Sequence, residues 1–293
     1  MSRLVGHSMD LDRLRSYSSV FTRSVFSRLV KFDDFSPISN VVRAYDDTKI
    51  GDGISYADYL EIMYSALSEG YRNEYVCKNS LVNKIVSLNK SRNITVFNEF
   101  RVGDSIADIA TFNGKSCVYE IKTELDSPKR LGGQSDDYLK FFQESYVVVP
   151  CELIDLYMPA IDDRMGIYAL SHGKNGVAVK KFRSAASLTD NMDVDVLMRV
   201  LWIHEYENIV KRYFGELPDV GYYEMFQTCR DLIGRIPVER LSRMAVEEIK
   251  MRKNNSVIFD NDRKSLTQIC LAMNFNMRQY VHLRDNLNKT IKI

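Results

Sequence analysis

The segment "RVGDSIADIATFNGKSCVYEIKTE", residues 101–124, restricts the fold more than any other stretch of this chain. Apolar and polar residues alternate up to Asn113-Gly114, and a second apolar run follows. Asn-Gly between two such runs is the strongest short-range signal for a β-hairpin. Side chains two apart on a strand share a face. Glu120 and Lys122 therefore project together, while Ile121 points the other way into a core. Asp108 shares its face with Ile106 and Ala110 on the preceding strand, and the turn brings it within reach of Glu120. Taken alone, Glu120 and Lys122 also read as a charged pair on an exposed sheet face.

The flanks extend the pattern. "RNEYVCKNSLVNKIVSL" (72–88) is an amphipathic helix, after which the period changes from helical to strand-like. "ITVFNEFRV", "SIADIATF" and "SCVYEIK" are three successive strands, "GQSDDYLKFFQES" is a helix, and "YVVVPC" is a short buried strand. "GIYALS" and "GVAVKKF" form a further hairpin. Helix, three strands, helix, strand implies an α/β core with a mixed sheet. Residues 1–70 read as a helical N-terminal region, 71–185 as the α/β core and 186–293 as a helical C-terminal region. In the last, Asp193 is an N-cap candidate for one helix over "DVDVLMRVLWIHEYENIVKRYF", and Pro237 suits a first helical position.

Composition narrows the class. Hydrophobic residues are 45% and charged residues 27%, an ordinary globular balance, and the net charge of +1 leaves only local basic surfaces for nucleic acid. Five scattered cysteines without a CxxC pair argue against zinc or a disulfide framework and read as small buried hydrophobes. His7, His172, His204 and His282 show no ligand spacing. No apolar run reaches the length of a membrane span and no signal-peptide core opens the chain, so a cytoplasmic protein with no membrane partner is expected. No P-loop, dinucleotide fingerprint or GxSxG element occurs.

The hairpin's charges carry chemistry. Two adjacent carboxylates repel unless a cation or proton joins them. Mg²⁺, or Mn²⁺ in its place, takes oxygen ligands and keeps waters. Asp108, Glu120 and the main-chain carbonyl of Ile121 are such donors, and Lys122 is placed to orient a water or steady a phosphate charge.

Asp108 followed twelve residues on by Glu120-Ile121-Lys122 resembles the signature of the PD-(D/E)XK nuclease superfamily. The residue before Asp108 is Ala107 where the motif has Pro, a position that varies. The resemblance implies a restriction-endonuclease-like core with helical extensions, a metal held by Asp108 and Glu120, and Lys122 assisting the attacking water. Gln134 and Tyr138, four apart on a helix, resemble the Gln-x-x-x-Tyr element of the RecB-like branch, which implies contact with nucleic acid. Tyr138 also reads as packing on Phe141 or Phe142. Glu74 at the start of the 72–88 helix resembles the glutamate that completes the metal site in that branch, and otherwise reads as a first-turn acid. Glu99 competes for that role and reads as a strand charge. Lys129 and Arg130 stand at the approach as phosphate contacts, and Gly132 and Gly133 let a ligand come close to the backbone. Residues 72–150 are similar to little-characterised bacterial and mobile-element "sce"-type nucleases.

The expectation is a Mg²⁺- or Mn²⁺-dependent phosphodiesterase acting on nucleic acid, DNA ahead of RNA, in phage or mobile-element conflict or defence. The alternatives are a non-catalytic nucleic-acid-binding module and an element-encoded factor acting on a protein. The helical extensions leave a homo-oligomer or protein partner open. "RKSLTQICLAMNFNMRQYVHLRDNL" reads as a helical cap; a helix-turn-helix with Arg278, Gln279 and Arg284 toward DNA is its competing reading.

Overall fold

The structure is a computed structural model that describes residues 11–46, 53–71, 73–89, 93–124, 126–173, 176–253 and 256–291. Five helices come first: α1 (Leu11–Val20), α2 (Arg23–Phe32), α3 (Ser36–Tyr45), α4 (Tyr56–Gly70) and α5 (Glu74–Leu88). Strands β1 (Thr95–Val102), β2 (Ser105–Phe112) and β3 (Ser116–Ile121) follow, then α6 (Leu131–Leu139) and β4 (Glu144–Pro150). The short α7 (Ile154–Tyr157) leads to β5 (Gly166–Gly173) and β6 (Gly176–Arg183). The remaining helices are α8 (Val194–Val200), α9 (Ile203–Phe214), α10 (Tyr222–Ile233), α11 (Val238–Met251), α12 (Ser256–Asp260), α13 (Thr267–Ala272) and α14 (Met277–Leu287). The expected order of helix, three strands, helix and strand is α5-β1-β2-β3-α6-β4.

The described residues group into two compact units. The first draws on Met1–Leu88, Ser171–Ala178 and Ser256–Ile293, the second on Asn89–Leu170 and Val179–Asn255. These divisions follow packing, whereas the three regions read from the sequence follow the chain.

The first unit is helical around Tyr17, Phe26, Leu29, Ile38, Tyr59, Leu60, Met63 and Leu67, all fully buried. Its polar centre is Asp46, just past α3, which accepts hydrogen bonds from Tyr17 and Tyr59 at 2.6 Å each and pairs with Arg13. The segment after α14 closes the unit: Tyr56 N–H donates to Lys289 O at 3.1 Å and Ile291 N–H to Ile54 O at 3.0 Å. Asn274, with φ 51, makes the turn between α13 and α14. Gln279 is spent on a reciprocal cap with Asn276. The helical-cap reading accounts for that use of Gln279.

The second unit is a mixed six-stranded sheet in sequential order β1 to β6 with helices packed on it. β1, β2 and β3 pair antiparallel, and β3, β4 and β5 pair parallel. Gly114, at φ 70, turns the β2–β3 connection in the left-handed conformation that glycine adopts freely. β3 is buried on both faces, which is why its sequence is so apolar. Phe97, Phe100, Phe112, Phe141, Phe142 and Tyr138 form an aromatic core with residues of α8 to α11.

Two helices differ from their expected lengths. α6 stops at Leu139, because the N–H groups of Phe141 and Phe142 fold back on Tyr138 O and bury both rings. The helix expected from Asp193 breaks into α8 and α9, since Leu201 is extended and Glu205 Oε2 takes the N–H of Trp202 at 2.7 Å to start a new helix. Asp193 does cap α8, accepting from the N–H groups of Asp195 and Val196. Four cysteines are buried and Cys151 is exposed, all five unbridged. Among the described residues no helix is long and apolar enough to cross a membrane.

Candidate active site on the central strand

β3 places Glu120 and Lys122 on one face, and both are sequestered, at 4% and 5% exposure. An exposed charge pair is therefore not what the strand carries. Lys122 Nζ donates to Glu120 Oε1 at 2.8 Å and to Gln134 Oε1 at 2.7 Å. Gln134 Nε2 donates to Glu120 Oε1 at 2.6 Å, and Tyr138 OH donates to Glu120 Oε2 at 2.7 Å. The Gln134 amide thus offers each end to the charge that matches it. Gln134 and Tyr138 reach the strand together because helical positions four apart share a face.

α6 is held in place by Asp137, which faces the β1–β2 turn. Its Oδ2 accepts from Ser105 Oγ at 2.6 Å and Asp104 N–H at 3.2 Å. Gly103 is required there: φ is 56, and a Cβ would sit 2.3 Å from Asp137 Oδ1. Tyr138 meets both of its sequence readings. Its ring packs edge-on against Phe142 at 6.2 Å while its hydroxyl serves Glu120. Burial, then the charge of Glu120 and the hydrogen bond to it, hold the Tyr138 phenol far above its ordinary pKa, with a further push from Asp108. The hydroxyl stays a protonated donor.

Asp108 stands at the end of the β2–β3 ladder. The register runs Phe112↔Ser116 to Ile109↔Tyr119, and one step further sets Asp108 opposite Glu120. The main-chain pairing stops there, and Asp108 Oδ2 accepts the N–H of Ile121 at 2.8 Å. On the other side, β1–β2 pairing passes from Asn98↔Ile109 to Phe100↔Ala107 and skips the step of Glu99 and Asp108. Glu99, exposed, has φ 56, a left-handed conformation costly for a residue with a Cβ. Three acids thus occupy one register step across three strands, graded from exposed Glu99 through half-buried Asp108 to buried Glu120. Strand periodicity carries no sign of the left-handed turn at Glu99 or of the anchoring role of Asp137.

Glu74 belongs to the first unit, where its exposed carboxylate pairs with Lys78 at 2.5 Å. Lys129 is exposed on the turn Pro128–Arg130, and the Arg130 side chain lies outside the described residues, as does His7. A Cβ on Gly132 or Gly133 would meet nothing within 4 Å, so the backbone at the start of α6 is open to a ligand.

The donor set at Asp108 and Glu120 fits a hard divalent cation in kind: two carboxylates and the Ile121 carbonyl, for an ion that keeps most of its waters. Glu120 spends both oxygens on Lys122, Gln134 and Tyr138, so holding a cation requires one of these donors to yield. Among the described residues no group of three or more His, Cys, Asp and Glu side chains is gathered to hold a metal ion.

The sequence model of the family described as bacteriophage P4 protein cII matches residues 68–272. The chain belongs to the bacteriophage P4 cII family. The cII match spans every candidate residue from Glu74 to Tyr138. No curated protein matches the chain. Two solved structures are similar to parts of it. A protein of unknown function from Silicibacter pomeroyi is 14% identical with a TM-score of 0.30, covering 50% of this chain and 95% of its own. SfsA of Pyrococcus furiosus, solved in complex with Ca²⁺, is 13% identical with a TM-score of 0.23, covering 36% of this chain and 60% of its own. Likeness at those scores carries no functional argument for this cII-family chain.

Proposed function

We propose that this chain is a divalent-metal-dependent nuclease of PD-(D/E)XK type that hydrolyses phosphodiester bonds, DNA in preference to RNA. The observation that carries the reading is the buried array of Glu120, Lys122, Gln134 and Tyr138 beside Asp108, where the ladder parts. A buried lysine–glutamate pair adds little net stability, because well-packed apolar residues would serve as well. Chemistry is the better reason for it. Membership of a phage-protein family agrees with a phage or mobile-element setting.

Asp108, Glu120 and the Ile121 carbonyl would hold the cation. When bound, it supplies polarisation of a phosphate oxygen and acidification of a water. Lys122, once released by Glu120, offers an ammonium to the phosphate or to the attacking water. Gln134 keeps Lys122 and Glu120 aligned, and Tyr138 fixes the rotamer of Glu120. The open backbone at Gly132 and Gly133, with Lys129 and Arg130 before it, gives the strand an approach.

The test is cleavage of plasmid, single-stranded DNA and RNA with Mg²⁺, with Mn²⁺ and with chelator. Metal-dependent cutting lost in Lys122→Ala and Glu120→Gln is expected; equal cutting by both variants and the parent sinks the assignment. The full use of both Glu120 oxygens favours one second reading, a binding module without catalysis. Salt-sensitive DNA binding with no cleavage under either metal is its signature.

A further inference from the structure

The first unit contains a cavity of about 390 Å³ that the catalytic reading does not use. It is lined by the α2–α3 connection, the starts of α3 and α4, and the segment after α14. Its volume is in the range of small-molecule sites. Three features of its wall point to one ligand chemistry.

One side is aromatic. The rings of Phe35 and Tyr56 lie 4.6 Å apart at 41°, and Tyr56 is fixed by a 3.0 Å hydrogen bond between its hydroxyl and Ser39 Oγ. The second feature is positive charge. Arg43 and Lys289 line the cavity, and among the described residues neither is paired with a carboxylate. The Arg43 guanidinium makes one long contact, 3.5 Å to Asn40 Oδ1. Ser36 and Tyr56 are the first residues of α3 and α4, so two helix dipoles add to the same potential. Third, Ser36, Ser39, Tyr56 and Thr290 contribute hydroxyls, and the one acid, Asp33, already accepts from Asn286 at 2.6 Å and contacts His282 at 3.0 Å.

An aromatic wall, two cations that pair with no carboxylate among the described residues, and several hydroxyls suit a planar base joined to a phosphate through a sugar. We infer that this cavity binds a phosphorylated nucleotide, with its base on Phe35 and Tyr56 and its phosphate toward Arg43 and Lys289. The nucleotide is either free or the phosphorylated end of a strand. The inference is independent of nuclease activity, since every lining residue belongs to the first unit.

Calorimetric titration of the full chain, without divalent metal, tests it. The probes are the four nucleoside monophosphates, the matching nucleosides, inorganic phosphate, and short oligonucleotides with and without a 5′-phosphate. One-to-one binding of a monophosphate, with its nucleoside weaker by roughly tenfold or more, is expected. Binding of the phosphorylated oligonucleotide alone assigns the site to strand ends and equally supports the inference. Arg43→Gln with Lys289→Gln, both at exposed positions, should weaken binding by about tenfold or more while the circular dichroism spectrum is retained. Inorganic phosphate binding as tightly as the monophosphate, saturation by no probe, or indifference to the double substitution would each overturn it.

Discussion

Asp46 and Glu120 are both buried carboxylates with close donors, and they differ in what surrounds them. Asp46 in the first unit is enclosed by α1, α3 and α4, with Arg13, Tyr17 and Tyr59 as donors. Glu120 in the second unit has donors just as close. Yet it lies at the same register step as a half-buried acid, Asp108, where the β2–β3 pairing stops and the β1–β2 pairing skips a step. Satisfaction of a buried charge therefore does not separate a structural tie from a candidate reactive group. The backbone around it does: helices in one case, a parted ladder in the other.

The largest expected difference is in catalysis. Lys122→Ala should lower metal-dependent cleavage by roughly 10²–10⁴-fold, measured under single turnover, while Asp46→Ala leaves the rate per folded molecule unchanged. A cleavage loss in Asp46→Ala at full folding would dissolve the contrast.

Stability should show the reverse order. Removing the Asp46 carboxylate leaves two phenols and a guanidinium without their acceptor, and should cost about 3 kcal/mol in urea unfolding. Tyr138→Phe removes one donor to Glu120 and should cost about 1–2 kcal/mol. It also carries a pH signature. The folded-state pKa of Tyr138 is raised by burial and by Glu120, so the folded chain holds that proton longer than the unfolded chain. Its contribution is complete below the ordinary tyrosine pKa of about 10 and lost as pH rises above it. Tyr138→Phe should make that alkaline loss shallower by up to about 1.4 kcal/mol per pH unit; an unchanged slope contradicts the placement of the hydroxyl. The smallest effect concerns the parted ladder. Glu99→Gly relieves a left-handed residue and should raise stability by about 0.5–1 kcal/mol, and a loss instead would show that the Glu99 side chain is needed there.

Much of this contrast was legible in the sequence on one side and little on the other. Period-2 alternation and the Asn113-Gly114 turn put Glu120, Lys122 and Asp108 together, and helical spacing added Gln134 and Tyr138. These are short-range regularities. The Asp46 cluster joins helices whose positions depend on packing, and nothing in the local pattern around Asp46 marks it. The break between α8 and α9 escaped for a related reason: the apolar period runs through Leu201 and Trp202, while the decisive hydrogen bond is the one that the Glu205 carboxylate accepts from the Trp202 N–H. The chain's regrouping into units drawn from separate stretches is likewise a property of contacts, not of composition.

The hydrogen bonds that join residues 54–56 to residues 289–291 bear on biosynthesis. On the ribosome, residues 89–255 are all made before the last pieces of the first unit emerge. The earliest helices must wait, for seconds at ordinary elongation rates, with apolar surface still lacking its cover. Meanwhile the sheet, with its candidate active site, can already close. A nascent chain stalled near residue 255 should expose the first-unit helices to chaperones and proteases while its sheet resists both.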